Sequence, residues 1–499
     1  MNRGTALLVV VALSALSAGA ACSDAPPYTL AAGLFDQNAI DLGLHAAAGT
    51  ETFTVFAPTD HTDKFSNGAV SVEFKGRLYV QWQSSARDED SPDTWVAYSV
   101  SEDGESWGAP AVLAPAGEGA EMHSGGGWWT DGETLVAYIN VWPTGFQSHD
   151  GGHTEYRLST DGRHWSEPRP VIGKDGAPIN GIIEQDPHLY EGRLYAAFHL
   201  RPGLIVKPHY TDDPLGIGGW IVGRMQSLPY EPPTSRAMEP SLFRRGTCLV
   251  MVFRDQASSF RQLAAESCDR GVSWSMPVLT DMPDARAKQS AGNLPDGTAY
   301  LVNAPHAGRE RIPLAVTLSG DGRVFDRSFL LRGASDLQAL RYEGRYKRPG
   351  YHYPKSVVAD GFLYIAYATN KEDVQVTRVR VSSLADRLPP SVRNSAPESG
   401  LEQTDKYPIR DAIRIRDVRI GHGDGVTVGA HRKSQVTSGL AGEDCGRLPG
   451  RRTGRCCLDV EIAVERPCHE HEHCPVYRVE PDAAIGNGIA NLGNCQVIR

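Results

Sequence analysis

Tyrosine, histidine and arginine side chains stand at the ends of apolar runs in this chain. Tyr353 follows a basic stretch that ends in Arg348, while His123 and His199 lie in segments rich in aromatic residues. Such residues could carry out a β-elimination, with one group as base, one on the leaving oxygen and an arginine that neutralises a carboxylate. Histidine and tryptophan in loops also suit sugar stacking and proton transfer. The set indicates a site for an acidic sugar.

Arg254 is a further candidate because it ends the apolar run CLVMVF. A lone arginine at the end of a buried strand is unfavourable unless it reaches a polar cleft or an acidic partner. Asp255, the next residue, offers the alternative of a salt bridge on the rim. The position of Arg254 therefore leaves open a binding role and a structural one.

The elements that must position these side chains repeat along the chain. Six short apolar strands each follow a glycine-led turn, at intervals of 51 to 64 residues. Repetition of this length with little helical periodicity is typical of a ring or solenoid of sheets. Six four-stranded units closed in a ring predict an all-β, six-bladed β-propeller, whose loops surround one central cleft. The turn glycines are Gly76, Gly132, Gly192, Gly246, Gly297 and Gly361.

Four blades carry a second motif, a Ser-x-Asp-Gly-type box that we assign to the turn after the second strand. Its aspartate can accept hydrogen bonds from backbone N–H groups of the turn, and its glycine permits a positive φ. The aromatic residue that ends the box is expected to pack between blades. The boxes are Ser101–Trp107, Ser159–Trp165, Ser267–Trp274 and Ser319–Phe325.

The N-terminus has the pattern of a secretory signal. Arg3 precedes an apolar run and then small residues up to Cys22, so we assign 1–22 to a signal peptide and expect a periplasmic or extracellular protein. Cys22 is an alternative site for a lipid anchor. The propeller is assigned to 51–385, with strand Glu51–Phe56 closing the ring against the last blade. Residues 386–499 are assigned to a linker and a poorly ordered Cys/His-rich tail.

Export makes disulfides possible. Cys248 and Cys268 flank a polar turn, and a hairpin centred there would place them opposite each other. We favour two buried free thiols over a bridge, because cross-strand bridges need favourable pair geometry. In the tail, the cysteines and histidines of Cys468–Cys474 stand mostly at every second residue. Side chains with this spacing do not easily converge on one tetrahedral ion, so we predict no metal site.

Repeated Asp boxes in a six-bladed propeller resemble the sialidase (neuraminidase) superfamily, the bacterial BNR-repeat proteins, over about residues 60–385. The resemblance implies a tyrosine nucleophile with a glutamate partner, an aspartate acid/base and three arginines that hold a carboxylate. GYHYPKSVVADG matches the nucleophile segment and implies Tyr353 rather than Tyr351. MEPSLFRRGTCLVMVFRDQ implies Glu239 as the partner and Arg254 as one arginine.

The other family positions are less closely matched. HAGRERIP implies Arg311, with Arg309 as the alternative, for another arginine. The first blade has no arginine before its strand, and the nearest replacement is Arg87. Its acidic loop, ARDEDSPDTW, resembles the loop of the acid/base and offers Asp90 or Asp93, although a solvated acidic loop would look the same.

These observations predict an exported sialidase-like glycoside hydrolase that acts on a terminal acidic sugar. Tyr353, Glu239 and Asp90 would carry the chemistry, and Arg87, Arg254 and Arg311 would hold the carboxylate. A polysaccharide lyase that uses His123 and His199 is the alternative, and a non-catalytic glycan-binding propeller is another. The net charge of −10 argues against nucleic acid as a partner. We expect a glycan substrate, a monomer, no membrane span and no cofactor.

Overall fold

The computed structural model describes residues 25–146, 151–184, 187–231 and 234–385, together with four short strands nearer the C-terminus. The chain divides into two compact units, residues 1–392 and 393–499. In the second unit Val418–Arg419 pairs with Ile489–Ala490, and Val460–Ile462 pairs with Tyr477–Val479. The assigned signal peptide, Cys22 and the run Cys468–Cys474 lie outside the described residues.

The first unit is the predicted all-β propeller of six antiparallel blades. In blades 1 to 5 the strand nearest the ring axis comes first in sequence, whereas in blade 6 it follows the outermost strand. From the inside outward, the strands are as follows: Phe65–Phe74, Arg77–Ser85, Trp95–Ser101 and Ala111–Ala114 in blade 1; Met122–Thr130, Leu135–Trp142, His153–Ser159 and Arg169–Pro170 in blade 2; Gly181–Ile183 with His188–Tyr190, then Arg193–Leu200, Ile205–Thr211 and Ile221–Val222 in blade 3; Ala237–Arg245, Cys248–Asp255, Arg261–Ser267 and Val278–Pro283 in blade 4; Ser290–Asn293, Ala299–Asn303, Leu314–Ser319 and Arg327–Arg332 in blade 5; Tyr351–Ala359, Phe362–Thr369, Asp373–Arg380 and Glu51–Phe56 in blade 6.

Blade 6 takes its outer strand from the start of the propeller. Glu51–Phe56 pairs antiparallel with Asp373–Arg380, with Glu51 opposite Arg378 and Thr52 opposite Thr377. The predicted closure of the ring is therefore confirmed. Because every blade then has at least four strands, the ring leaves only short strand edges unpaired.

The two sequence motifs occupy different turns of a blade. The glycine-led turns join the first and second strands, as in Lys75–Gly76. The Asp boxes follow the third strand, as in Ser101 at the end of Trp95–Ser101, so our assignment to the second strand was wrong. No glycine motif of the kind that begins the second strand marks the turn between the second and third strands. The sequence therefore did not show that a third strand precedes the box.

Inside each box the predicted hydrogen bonds are present. Asp103 Oδ1 accepts the backbone N–H groups of Glu105 and Ser106 at 2.8 and 2.7 Å. These bonds lower the pKa of the Asp103 carboxyl to about 2. The box aromatics pack between blades as expected, since the ring of Trp165 lies 5.8 Å from that of Tyr98 in blade 1.

Blades 4 and 5 are covered by the segment that precedes the propeller. Thr29–Leu30 runs parallel to Val324–Phe325. Tyr28 is buried, packs its ring against Phe243 and Phe325, and donates to Gln262 Oε1 at 2.8 Å. This segment, which has no clear period in sequence, thus adds to the core through one aromatic side chain.

Cys248 and Cys268 form a disulfide, which corrects the expectation of free thiols. They stand directly beyond the pair Leu249 and Ser267 in the hairpin register. The sequence placed them opposite each other, and the register brings them close enough to bond.

The remaining regular structure is short. Among the described residues, one α-helix spans Val381–Ala385, and 3₁₀ turns span Ile40–Gly43 and Ala334–Asp336. In the described part of the chain no helix has the length and apolar character needed to cross a bilayer.

Candidate active site

A cleft of about 790 Å³ opens where the innermost strands of the blades converge. Eight lysine or arginine residues and four carboxylates stand among its described lining residues. An apolar wall of Met122, Trp142, Phe146, Leu204 and Met238 completes it. The cleft is thus basic although the whole chain is acidic. The charged residues are Arg254, Arg286, Lys288, Arg309, Arg311, Lys347, Arg348, Lys371, Glu89, Asp90, Glu184 and Glu239.

Glu239 and Tyr353 reach the cleft through the same backbone irregularity. In blade 4, Glu239 and Pro240 interrupt the pairing with the second strand between Met238 and Ser241. In blade 6, Tyr353 and Pro354 do so between His352 and Lys355. Two residues then oppose one, which is a β-bulge, a device that re-aims a side chain next to active sites. Glu239 and Tyr353 have φ values of 49° and 55°, a strained region for residues other than glycine.

Blade 1 has the same bulge without a side chain. Its register shifts between Asn67 and Val70, and Gly68 has a φ of 64°. Gly68 lines the cleft, and a Cβ added there would meet no atom within 4 Å. Blade 1 therefore leaves open space where blades 4 and 6 supply functional groups.

Arg254 joins the two bulge residues. Its Nη1 donates to Glu239 Oε2 at 2.8 Å and to Tyr353 Oη at 3.4 Å. Burial alone would raise the pKa of the Glu239 carboxyl, but the charges of Arg254 and Lys288 outweigh it and lower that pKa to about 2. Glu239 is therefore an ionised carboxylate beside a phenol. Asp255, the rim partner considered for Arg254, instead pairs with Arg236 at 2.7 Å.

Three further cations face the ring of Tyr353. The guanidinium carbon of Arg311 lies 4.9 Å from the ring centroid, and the Nζ atoms of Lys288 and Lys371 lie 5.2 and 5.9 Å from it. Arg311 is only 2% exposed, and its Nη1 contacts His352 Nδ1 at 2.8 Å. A positive field of this kind suits an anionic ligand and a developing phenolate.

Each lysine of this group has a carboxylate partner. Lys288 Nζ donates to Glu184 Oε2 at 2.8 Å, and Lys371 pairs with Glu89. Glu89 also accepts a hydrogen bond from Asn67 Nδ2 at 3.1 Å. Sequence reasoning missed both lysines, because neither stands in a family motif. The sequence could have indicated them only by position. Lys288 lies next to the innermost strand of blade 5, and Lys371 lies in the tight turn between two strands of blade 6.

Arg87 does not lie in the cleft. It is exposed, and its nearest acidic group is Asp88 at 3.6 Å. The expectation that it replaces the missing first-blade arginine is not supported by this placement. Lys371 instead brings a cation beside blade 1, where its backbone carbonyl accepts the N–H of Ser66 at 3.0 Å. The turn of Lys371 lies some three hundred residues after Ser66, so sequence spacing could not show that the two are neighbours.

The acidic loop does contribute to the cleft. Asp90 lines it and has a φ of 57°. Asp93 serves the loop itself, since its Oδ2 accepts the backbone N–H of Ala86 at 2.9 Å. Of the two aspartates that the sequence offered, Asp90 is the one within reach of a bound ligand.

The structure also distinguishes Tyr353 from Tyr351 and Arg311 from Arg309. Tyr351 is buried and donates to the carbonyl of Gly333 at 2.8 Å, whereas Tyr353 lines the cleft. Arg309 and Arg311 both line it, Arg309 as an exposed residue at the mouth. Arg348 lines it as well, and burial and the charge of Arg311 lower its pKa to about 10.

Neither candidate histidine lines the cleft. His199 is fully buried, and its Nε2 accepts the backbone N–H of Glu239 at 3.1 Å. Burial lowers the pKa of His199 to about 4, so the ring is neutral and supports the bulge. His123 contacts the carbonyl of Pro115 at 2.6 Å and Glu121 at 3.2 Å. No histidine is found among the described lining residues.

One trio of described residues has the spacing of metal ligands. It consists of Cys248, Glu266 and Cys268. Both sulfurs are used in the disulfide, so this trio does not fit a metal ion.

Comparison with known proteins agrees with this architecture. Residues 76–365 match the family model described as BNR repeat-like domain. No curated protein matches the chain. The Hadza microbial sialidase Hz136 is 15% identical, with a TM-score of 0.51 over 67% of this chain and 69% of its own. The intramolecular trans-sialidase from Ruminococcus gnavus, solved with oseltamivir carboxylate, is 13% identical, with a TM-score of 0.51 over 69% of this chain and 99% of its own.

A further solved chain, a sialidase, is 18% identical with a TM-score of 0.48 over 72% of this chain. This chain spans only 35% of the length of that sialidase. The TM-scores of 0.51 for the Hadza sialidase and the trans-sialidase show a shared fold.

Proposed function

The chain belongs to the family of BNR repeat-like domains and has a sialidase-like propeller, and from this premise we propose that it is an exported glycoside hydrolase of the exo-α-sialidase type. The substrate is a terminal acidic sugar of a glycan. One observation carries the proposal: a single guanidinium nitrogen of Arg254 contacts both Glu239 and Tyr353 inside a basic cleft.

The carboxylate of the sugar is held by arginines. Arg254, Arg311 and Arg348 line the cleft around Tyr353, and their planar guanidinium groups match a carboxylate in a bidentate manner. Arg348 supplies the third arginine of this set, a role that the sequence suggested for Arg87. The bound carboxylate sets the anomeric carbon beside the phenol of Tyr353.

Tyrosine suits this substrate because the anomeric carbon carries a carboxylate, which repels an anionic nucleophile. Tyr353 Oη attacks the anomeric carbon and gives its proton to Glu239, while Asp90 protonates the leaving oxygen as the glycosidic bond breaks. Water then attacks the same carbon with Asp90 as base, and the phenol leaves and regains its proton from Glu239. All atoms are balanced by one water molecule per bond cleaved.

A lyase mechanism has no comparable support. A β-elimination by His123 and His199 requires these rings to reach the sugar, and neither lines the cleft. A glycan-binding propeller without catalysis needs the arginines, but it does not need a carboxylate and a phenol that share one guanidinium nitrogen of Arg254.

Product analysis tests the proposal. Purified protein is incubated with sialosides and, separately, with uronic-acid polysaccharides, while released sugar and absorbance from a new C4–C5 double bond are recorded. We expect free acidic sugar without a double bond, and a loss of at least about a thousandfold in kcat for Tyr353→Phe. Tyr346→Phe, which alters an exposed tyrosine of the same cleft, serves as the matched control. A double bond, or full activity of Tyr353→Phe, would overturn the mechanism.

A further inference from the structure

The charges of the cleft do not balance. Three of its cations are paired with its carboxylates, and Lys347 is paired with Glu372 at 3.2 Å. Four arginines remain with no carboxylate within 4.0 Å in the part of the chain that the structure describes. The pairs are Arg254 with Glu239, Lys288 with Glu184 and Lys371 with Glu89. The unpaired arginines are Arg286, Arg309, Arg311 and Arg348.

One sugar carboxylate accounts for only part of this excess. It has two oxygens, which Arg254, Arg311 and Arg348 already satisfy. Arg286 and Arg309 are then left over. Arg286 lies in the connection from blade 4 to blade 5, and Arg309 lies in the loop between the second and third strands of blade 5. Uncompensated cations in a partly buried cleft repel each other, so such a pair is favourable only when an anion joins it.

Arg286 lines the cleft with a strained backbone and a buried side-chain nitrogen that has no hydrogen-bond partner among the described residues. Its backbone has a φ of 51°, and its carbonyl accepts a hydrogen bond from Arg311 Nη2 at 3.1 Å. The Nε atom of Arg286 is buried without a hydrogen-bond partner. Burial and the charge of Arg254, with a further contribution from Arg309, lower the pKa of Arg286.

The nearby acidic group is already engaged. Asp255 accepts two hydrogen bonds from Arg236, at 2.7 and 3.0 Å. It also accepts the backbone N–H groups of Ala257 and Ser259. Asp255 therefore closes its own turn and is not available to neutralise Arg286.

The two arginines stand on the outer side of the carboxylate site. Arg311 is almost fully buried beside Tyr353, whereas Arg286 is half-buried and Arg309 is exposed at the mouth. A glycan whose terminal sugar is bound at Tyr353 leaves the cleft through this mouth. The group that meets Arg286 and Arg309 therefore belongs to the next sugar.

We propose that Arg286 and Arg309 form a second oxyanion subsite, which selects glycans with an anionic group on the sugar next to the terminal acidic sugar. The proposal rests on the proposed function. A sulfate ester and the carboxylate of a second acidic sugar offer the same chemistry to two arginines. The substrate class is thus a doubly anionic glycan end.

Three matched substrates test this subsite. They are a sialoside with a neutral second sugar, the same sialoside with a sulfate ester on that sugar, and a disialoside. We expect kcat/KM to be higher by about tenfold or more for at least one doubly anionic substrate. One charge-assisted hydrogen bond contributes enough free energy for a factor of this size. Which of the two is preferred identifies the source of the anion.

Variants at the two arginines make the test specific. In Arg286→Gln and Arg309→Gln the ratio of kcat/KM between doubly and singly anionic substrates should fall to about one. Arg169→Gln, an exposed arginine on the outer strand of blade 2, should keep the ratio of the unmodified protein. Equal rates on all three substrates, or a ratio that survives both substitutions, would overturn the subsite.

Failure of the hydrolase and failure of the subsite can be told apart. If no substrate is cleaved, the dissociation constants of the same three glycans are measured by calorimetry. Tighter binding of a doubly anionic glycan, lost in Arg286→Gln, supports the subsite and rejects only the hydrolase. Equal affinity for all three rejects the subsite whatever the activity.

Discussion

Arg254 contacts both of the residues to which we assign the first chemical step, Glu239 and Tyr353. Its contacts keep Glu239 ionised and hold the phenol of Tyr353 beside that carboxylate. The pair is buried, so the two charges depend on each other far more than they would at the surface. A base that must accept a proton from a phenol is thus kept free of protons at neutral pH.

This dependence predicts the behaviour of Glu239→Gln. The substitution leaves Arg254 buried without its counter-charge, and it should lower the free energy of unfolding at pH 7 by about 3 kcal/mol. The folded-state pKa of Glu239, about 2, lies below its value in the unfolded chain. The stabilisation is therefore present above the unfolded pKa of about 4.3 and lost as the pH falls toward 2.

Urea unfolding at pH 7 and pH 3 measures the effect. The difference between the unmodified protein and Glu239→Gln should be smaller at pH 3. Glu133→Gln, at a largely exposed salt bridge with Lys75, is the control and should change stability by less than about 0.5 kcal/mol. A difference for Glu239→Gln that is independent of pH would mean that its charge is not what stabilises the fold.

Residues were predictable where a motif fixes the local backbone. Tyr353, Glu239 and Arg254 were assigned because they lie in segments that resemble the sialidase family, and all three line the cleft. Arg87 was misplaced and Lys371 missed, since the cation beside blade 1 comes from a turn that only the closed ring brings there. Sequence order gives no information about such neighbours.

At the scale of elements, the bulge on the innermost strand is the unit that builds the site. It recurs in blades 1, 4 and 6 with the same two-to-one register. The sequence showed proline after both Glu239 and Tyr353 but gave no reason to read this as a bulge. Strands and turns could be predicted from alternation and glycine, whereas an interrupted ladder depends on pairing with the neighbouring strand.

Two glycines allow the cost of a positive φ to be distinguished from the cost of a close contact between blades. Gly162, in the Asp box of blade 2, has a φ of 72°, and an added Cβ would lie 2.1 Å from Tyr79 Oη. Gly68 has a similar φ but open space. Gly162→Ala should therefore cost about 3 kcal/mol or more in stability, and Gly68→Ala about 1 kcal/mol.

Thermal and denaturant unfolding of both variants checks this expectation. The strain from a positive φ is common to the two, so their difference reports the contact between blades 1 and 2. Equal losses would show that the backbone conformation alone decides, and that Tyr79 moves aside without cost.

At the scale of the whole molecule, stability depends on the seam in blade 6. The six spaced glycines and four boxes predicted the ring, because each repeat must bury its faces against neighbours. The alternation of Glu51–Phe56 predicted its closing strand. Thr52 and Thr377 face each other across this seam, with their Oγ1 atoms 2.8 Å apart. The seam is thus a contact between residues far apart in the chain.

A cross-link at the seam should stabilise the ring. The double substitution Thr52→Cys and Thr377→Cys closes a very long loop, and it should raise the free energy of unfolding by up to about 5 kcal/mol once oxidised. Thermal unfolding with and without reductant measures the gain, with Thr52→Cys alone and the unmodified protein as controls for the native disulfide. No gain on oxidation would show that the ring opens elsewhere first.

The same seam has a consequence for the making of the molecule. Glu51 and Arg378, which bond across it, are 327 residues apart. At about 5–20 residues per second, a ribosome takes on the order of half a minute to make the partner of a strand that it has already finished. During that interval the backbone of Glu51–Phe56 is an open edge that can pair with any other strand. The yield of closed rings therefore depends on how well this short strand is shielded until blade 6 emerges.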